Sequence, residues 1–194
     1  MILGILSDTH GEGLRTRAAI SVLQRAGAET FVHCGDMGDE SVLDELVGLD
    51  IHIVCGNIDC PNTPLARYAA ALGLEFGLHG PRRFTWSGRT VLAFHGHESL
   101  CQQLLADSPA GEACRAQYGA CDYLLHGHTH IARDVRLGSL RIINPGALHR
   151  ARVYTVATLD LESGAVRFWE ISDGAADRPP RQYHPSGARP LVDW

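Results

Sequence analysis

Seven side chains able to bind a metal ion stand just after short apolar runs that read as β-strands: Asp8 and His10, Asp36, Asn57, His95, and His128 with His130. Two aspartates, one asparagine and four histidines form a mixed oxygen and nitrogen donor set without thiolate. Such a set suits Mn²⁺, Fe²⁺, Co²⁺, Ni²⁺ or Zn²⁺ better than an all-oxygen Ca²⁺ cage or a Cys-rich zinc finger. Seven donors are too many for one tetrahedral ion. If one carboxylate bridges, they divide into two sets of four, the number needed by a pair of ions. Gly11, Gly35, Gly56, Gly96 and Gly127 accompany these positions, and glycine lets a strand end turn sharply and lets backbone pass close to an ion. Singly, Asp8-Thr9-His10 reads equally as a helix cap, and Gly-Asp or Gly-Asn as an ordinary turn. Five such coincidences at five strand ends are harder to explain than one shared site.

The elements that must position these residues follow from periodicity. Strands are expected at Ile2–Leu6, Thr30–His33, Ile51–Val54 and Tyr123–Leu125, with helices at Leu14–Ala26, Glu40–Val47, Leu65–Leu72, Ser99–Ala106 and Gly111–Tyr118. A hairpin is expected from Arg83–Trp86 to Thr90–Phe94. Beyond about residue 132 the chain reads as strands only, at Arg133–Leu137, Leu140–Ile143, Tyr154–Leu161 and Val166–Ile171. This order predicts an α/β protein with a mixed sheet, or two sheets packed face to face under the earlier helices. In such sheets ligands bind beyond the carboxyl ends of the strands, where residues distant in sequence converge. The stretch 173–194 is rich in Pro, Gly and Arg and reads as an extended tail whose Leu191, Val192 and Trp194 could dock on a surface.

Composition bounds the partners. The 194 residues fit one domain, and a formal net charge of −5 argues against a nucleic-acid backbone as the main partner. All 17 basic residues are arginine, which excludes Schiff-base catalysis and the Walker phosphate loop, both of which need a lysine. The six cysteines form no CxxC pair and read as reduced, structural thiols. No stretch approaches a membrane span and the first residues lack a signal-peptide pattern, so a cytoplasmic location is expected. The oligomeric state is left open.

Taken in order, Asp8-Thr9-His10, Gly35-Asp36, Gly56-Asn57, His95 in His95-Gly96-His97, and Gly127-His128-Thr129-His130 resemble the five motifs DxH, GD, GN, H and GHxH of the calcineurin-like metallophosphoesterases. The length and the phrases Phe94–Glu98 and Ile143–Ala147 bring the chain nearest the small bacterial and archaeal phosphodiesterases of that superfamily. The resemblance spans roughly residues 1 to 171. It implies an α/β fold, a metallophosphoesterase-like β-sandwich of two mixed sheets flanked by helices in α-β-β-α layers. The domain would cover residues 1–172, followed by the tail. It further implies that Asp8, His10, Asp36 and His130 hold one metal and that Asp36, Asn57, His95 and His128 hold the other. Two divalent transition-metal ions are expected, Mn²⁺ first, with Ni²⁺, Co²⁺, Fe²⁺ or Zn²⁺ as alternatives. The implied activity is a phosphodiesterase acting on a small phosphodiester or nucleotide by in-line attack of a metal-bridging hydroxide.

The chain departs from the pattern at Gly56-Asn57-Ile58-Asp59, where many members carry a histidine after the asparagine. Ile58 has no proton to give a leaving group, and His97 is the candidate replacement. Two other readings stay open: a nucleotide phosphomonoesterase, and a non-catalytic interaction scaffold of the kind a retromer subunit represents on a similar fold. Asp39 and Asp59 read as caps or as partners behind the ligands, His33 and His126 as interior histidines, and Asn144-Pro145-Gly146 as a turn shaping the rim. His149 has no partner that spacing reveals. Arg82 and Arg83 could reach a phosphate but read better as an exposed turn.

Overall fold

Alternate residues of the first strand, β1 (Ile2–Leu6), enter two different apolar cores: Leu3 and Ile5 one, Ile2 and Leu6 the other. A strand with two buried faces requires a layer on each side, and the computed structural model supplies both. It describes residues 1–59, 63–76, 80–172 and 180–185. In the first sheet β1 pairs in parallel with β2 (Thr30–His33), which pairs in parallel with β3 (Ile51–Ile53). On its other side β1 runs antiparallel to β9 (Tyr154–Asp160), followed by β10 (Val166–Ile171) and β11 (Arg181–Tyr183). The second sheet has the order β4 (Arg82–Trp86), β5 (Arg89–Ala93), β6 (Tyr123–Leu125), β8 (Leu140–Asn144), β7 (Arg133–Leu137). Its centre, β5-β6-β8, is parallel and its two edges are antiparallel. The fold is therefore an α/β sandwich of two mixed sheets.

The inner faces close on Leu3, Ile5, Val32, Val91, Leu125, Ile143, Ala157 and Phe168. Helix α1 (Gly13–Arg25) covers the outside of the first sheet, setting Ala18, Ala19, Val22 and Leu23 against Phe31 and Val156. Helices α4 (Ser99–Leu105) and α5 (Pro109–Tyr118) cover the second, with Cys101, Leu104 and Leu105 on Leu92, Phe94, Leu124 and Ile142. Helices α2 (Glu40–Asp44) and α3 (Pro64–Ala71) bury Val42, Leu43 and Ala69 beside Ile53. A fully buried Leu side chain contributes roughly 1.5–3 kcal/mol, so these clusters anchor every strand end that carries a candidate ligand.

Element boundaries shift for identifiable reasons. Helix α5 begins at Pro109, two residues before the expected start, because the Ser108 side chain accepts the Gly111 N–H and proline fits the first turn. Helix α2 stops at Asp44 rather than Val47, and Leu46 reaches the same core from a turn instead. Within the stretch read as an extended tail, Arg181–Tyr183 is a strand: Phe168, Trp169 and Glu170 pair with Tyr183, Gln182 and Arg181. Leu191, Val192 and Trp194, expected to dock, lie outside the described residues. The five cysteines among the described residues are free thiols, three of them buried; Cys60 lies outside that set. Arg82 and Arg83 belong to β4, where they tie to the Ile53 carbonyl and to the Tyr118 and Ala120 carbonyls, so they are structural rather than loop residues.

Candidate metal centre

The parallel strands of both sheets end on one edge of the sandwich, and the loops leaving them are stitched to one another. Asp8 N–H donates to the Gly35 carbonyl at 2.9 Å, His10 N–H to the Asp36 carbonyl at 2.9 Å, and Gly127 N–H to the His95 carbonyl at 2.7 Å. The backbone is left-handed at Asp8 (φ 54°), His10 (φ 43°), Asp36 (φ 57°), His128 (φ 67°) and His130 (φ 57°). Aspartate and histidine enter that conformation more readily than most non-glycine residues, yet it remains uncommon for them. Of seven such residues described, five are candidate ligands, the concentration of local strain expected where side-chain direction serves function.

These loops bring the carboxylates and imidazoles together. Asp36 Oδ2 lies 3.5 Å from His10 Nε2 and 3.4 Å from His95 Nε2. Asp8 Oδ1 lies 3.3 Å from His130 Nε2 and 4.0 Å from His10 Nε2. Asn57 Oδ1 is 3.0 Å from His95 Nε2. Ligand atoms of Asp8, His10 and His130 gather within 4.8 Å of one another, as do those of Asp8, Asp36 and His95. Together they make a site for two divalent metal ions. The His128 ring stands beside them, its centroid 5.1 Å from that of His95. His97 sits one step out, 5.4 Å from His95 and 6.2 Å from His128, with Nδ1 3.7 Å from Glu98 Oε2.

The donors fit cations on two grounds. Asp8 Oδ1 and His10 Nε2 are buried atoms that make no protein hydrogen bond, a costly state unless another partner takes them. The site also demands positive charge. Burial alone would lower the His95 pKa, yet the Asp36 and Asp8 carboxylates raise it to about 9. Burial works against the Asp36 carboxylate, but His95 and the Ile58 N–H hold its pKa down to about 2. The Asp8 carboxylate raises His130 in the same way, whereas burial lowers His10 and His128.

Neighbouring groups aim the donors. His95 Nδ1 lies 2.8 Å from the Cys34 carbonyl, an acceptor only, so Nδ1 carries a proton and Nε2 faces Asp36. The Ile58 N–H holds Asp36 Oδ1 at 3.1 Å, and the His128 N–H holds Asp8 Oδ2 at 3.0 Å. The glycines of the GN and GH motifs act sterically. A methyl group at Gly56 would stand 2.5 Å from the Asp36 N, and one at Gly127 would stand 2.5 Å from Asp8 Oδ2.

Further residues complete the scaffold. Asp59 accepts from the amides of Met37, Gly38 and Gly56, linking the loops of Asp36 and Asn57; Asp39 caps α2 through the Ser41 N–H. His33 is fully buried against Thr9, and His126 is buried beside Asn144. Asn144 Nδ2 donates to the Gly127 carbonyl at 2.8 Å and to Thr129 Oγ1 at 3.0 Å, so this turn fastens the GHTH loop. Three residues, Glu12, Glu98 and His149, were given no role by the sequence reading. Glu98 accepts the N–H groups of His95 and Gly96; only its place three residues after His95 hinted at this. His149 lies 3.1 Å from Glu12 and its ring is 5.0 Å from His10, a pairing across 137 positions that no local spacing encodes.

Known proteins resemble the chain in sequence and in fold. A phosphodiesterase of Methanocaldococcus jannaschii is 26% identical over 171 residues, covering 86% of this chain and 97% of the relative. The structure of an archaeal phosphodiesterase superposes with a TM-score of 0.71 at 24% identity, over 88% of this chain and all of that one. Vps29 of Entamoeba histolytica, solved with Zn²⁺, gives a TM-score of 0.61 at 16% identity over 94% of this chain and 97% of its own. The profile of the calcineurin-like phosphoesterase superfamily domain runs through residues 1–164, taking in every one of the five strand-end motifs, and the chain belongs to that superfamily.

Proposed function

We propose that the chain is a metal-dependent phosphodiesterase acting on a small phosphodiester or nucleotide. The observation that carries this reading is the position of Asp36 Oδ2, between His10 Nε2 and His95 Nε2 at 3.5 and 3.4 Å, where one carboxylate can serve two ligand sets. In this reading Asp8, His10, Asp36 and His130 hold one ion, and Asp36, Asn57, His95 and His128 hold the other. Two divalent ions there, Mn²⁺ by preference, supply Lewis acidity to a water molecule and to the phosphate oxygens.

The chain's own residues set direction and charge. Asp36 and Asp8 each have one oxygen pinned by a backbone N–H, which leaves the other directed into the centre. The Cys34 carbonyl fixes the His95 tautomer. Ile58, 45% exposed beside Asp36, gives a leaving group no proton, which favours diesters over monoesters whose alcohols leave poorly. His97 is the residue we assign to that proton. The likeness to a Methanocaldococcus phosphodiesterase supports the diester reading, and the presence of all seven candidate ligands speaks against a scaffold without catalysis. A cytoplasmic location belongs to the same proposal.

Turnover of bis(p-nitrophenyl) phosphate and p-nitrophenyl phosphate by Mn²⁺-loaded protein tests it. The diester is expected to react faster, and Asp36→Asn to lose activity together with bound metal measured by elemental analysis. Faster monoester turnover would assign a monoesterase, and full activity in Asp36→Asn would refute the shared-carboxylate centre.

A further inference from the structure

The segment 148–150 lies between β8 and β9, outside the five motifs, and each of its three residues meets a different candidate ligand. Leu148 N–H donates to the Asp8 carbonyl at 3.2 Å. The His149 ring packs on that of His10, with centroids 5.0 Å apart and planes at 35°. His130 bonds to the Arg150 backbone, and the bond raises the imidazole's pKa, as a carbonyl acceptor does and an N–H donor would not. Asp8, His10 and His130, whose ligand atoms gather together, are the three ligands that one ion does not share with the other. The other set is held from elsewhere: His95 by the Cys34 carbonyl and by Glu98, and the loop of Asn57 by Asp59.

The first turn of α1 grips this segment. Glu12 stands at the N-cap of α1, where Ser, Thr, Asp or Asn normally bond the first N–H groups of a helix, yet its side chain makes no cap bond. Its carboxylate instead accepts from His149 Nδ1 at 3.1 Å and meets Arg15 Nη1 at 3.2 Å. An ionised carboxylate only accepts, so His149 carries its proton on Nδ1. Arg15 Nη1 also donates to the Leu148 carbonyl at 2.7 Å, and the guanidinium lies 3.9 Å from the centre of the Tyr154 ring, at the start of β9. The segment held in this way includes Arg150, whose left-handed backbone (φ 46°) is uncommon for a non-glycine residue and persists where the surroundings over-determine it. Two side chains of one helical turn thus fix three consecutive residues, and those fix three ligands.

We propose that Glu12 and Arg15 are positioning residues for one ion of the pair: acting through the segment 148–150, they set the affinity of the half built by Asp8, His10 and His130 and leave the half built by Asn57, His95 and His128 as it is. The inference rests on the two ligand sets of the proposed function. Equilibrium dialysis of metal-free protein against graded Mn²⁺, read by elemental analysis, tests it in the parent, in Arg15→Met and in Glu12→Ala. Methionine keeps an apolar stem over Tyr154 and removes the donors. The parent should take up two ions per chain, and each variant should bind one of them about 10–100-fold more weakly and the other as the parent does. Added to His10→Ala, which strips the same half, Glu12→Ala should change nothing further; added to Asn57→Ala, it should weaken the ion that remains. Glu12→Gln, which keeps an acceptor for His149, should restore most of the parental affinity. Should Arg15→Met fail to fold, the Glu12 variants carry the test alone. Parental affinity for both ions in the variants would overturn the inference, as would an equal weakening of both, which is what a general loosening of the fold gives. Fewer than two ions in the parent would remove the two-ion reading and the inference with it. The expected pattern in a parent that hydrolyses no diester would keep the positioning role and remove the phosphodiesterase reading.

Discussion

Asp59 is the residue whose removal most directly tests how the centre is held. Its carboxylate is fully buried and accepts from Met37 N–H at 3.0 Å, Gly56 N–H at 2.9 Å and, more weakly, Gly38 N–H at 3.4 Å. Burial raises its pKa against the pull of these donors. In Asp59→Ala two well-formed bonds disappear and their amides stay buried without acceptors. At roughly 1–3 kcal/mol for each orphaned group, the loss is about 4 kcal/mol. With a urea dependence of about 2 kcal/mol per molar, the unfolding midpoint should fall by about 2 M. Because the freed amides flank Asp36 and Asn57, metal affinity should also drop by about 10–100-fold. Ser108→Ala, at the distant cap of α5, should cost about 1 kcal/mol and leave metal affinity unchanged. A midpoint within about 0.3 M of the parent would refute the energetic argument. A destabilised Asp59→Ala with parental metal affinity would refute the positioning role.

The remaining predictions concern close packing and protonation. Gly127→Ala should displace both Ser7, whose Oγ the added methyl meets first, and Asp8 beside it, at a cost of about 1–3 kcal/mol, and elemental analysis should find less than the parent's metal content; equal content would show that Asp8 Oδ2 does not need that space. Burial holds the His33 pKa near 4 against a free value of 6.5, so between those values the unfolded chain binds a proton that the folded chain does not. Its contribution is complete above pH 6.5 and lost as pH falls toward 4, about 3 kcal/mol in all. Urea midpoints at pH 7.5 and pH 4.5 should therefore diverge more in the parent than in His33→Gln, and equal pH dependence would remove His33 from the account.

The sandwich was legible in the sequence wherever apolar residues repeat with a clear period, and the site wherever a donor follows such a run. What periodicity does not encode is which strands lie side by side. That β9 takes the side of β1 opposite β2 depends on contacts between residues more than 150 positions apart, such as Ile2 with Asp160. Strand β11 was hidden for a related reason. Only three residues long and flanked by proline, it has too few positions to show alternation, and it pairs because β10 offers an open edge. The roles of Glu98 and Asn144 were obscured because each acts on backbone N–H or C=O groups, which every residue possesses.

The left-handed backbone at five candidate ligands joins these observations into one physical account of the motifs. Aspartate and histidine do not choose that conformation unaided; it persists because neighbouring loops bind the same peptide groups from several sides, as Gly35 does Asp8 and Asp36 does His10. The glycines beside them are spaces as much as turns: Gly56 and Gly127 leave room for the carboxylates of Asp36 and Asp8, which belong to other strands. A motif such as GN or GH is then half of a contact, and its partner is the aspartate of a different motif. That explains why each dipeptide is unremarkable alone while the five in order specify a site. Substituting either half, the carboxylate or the space it occupies, should disable the same centre.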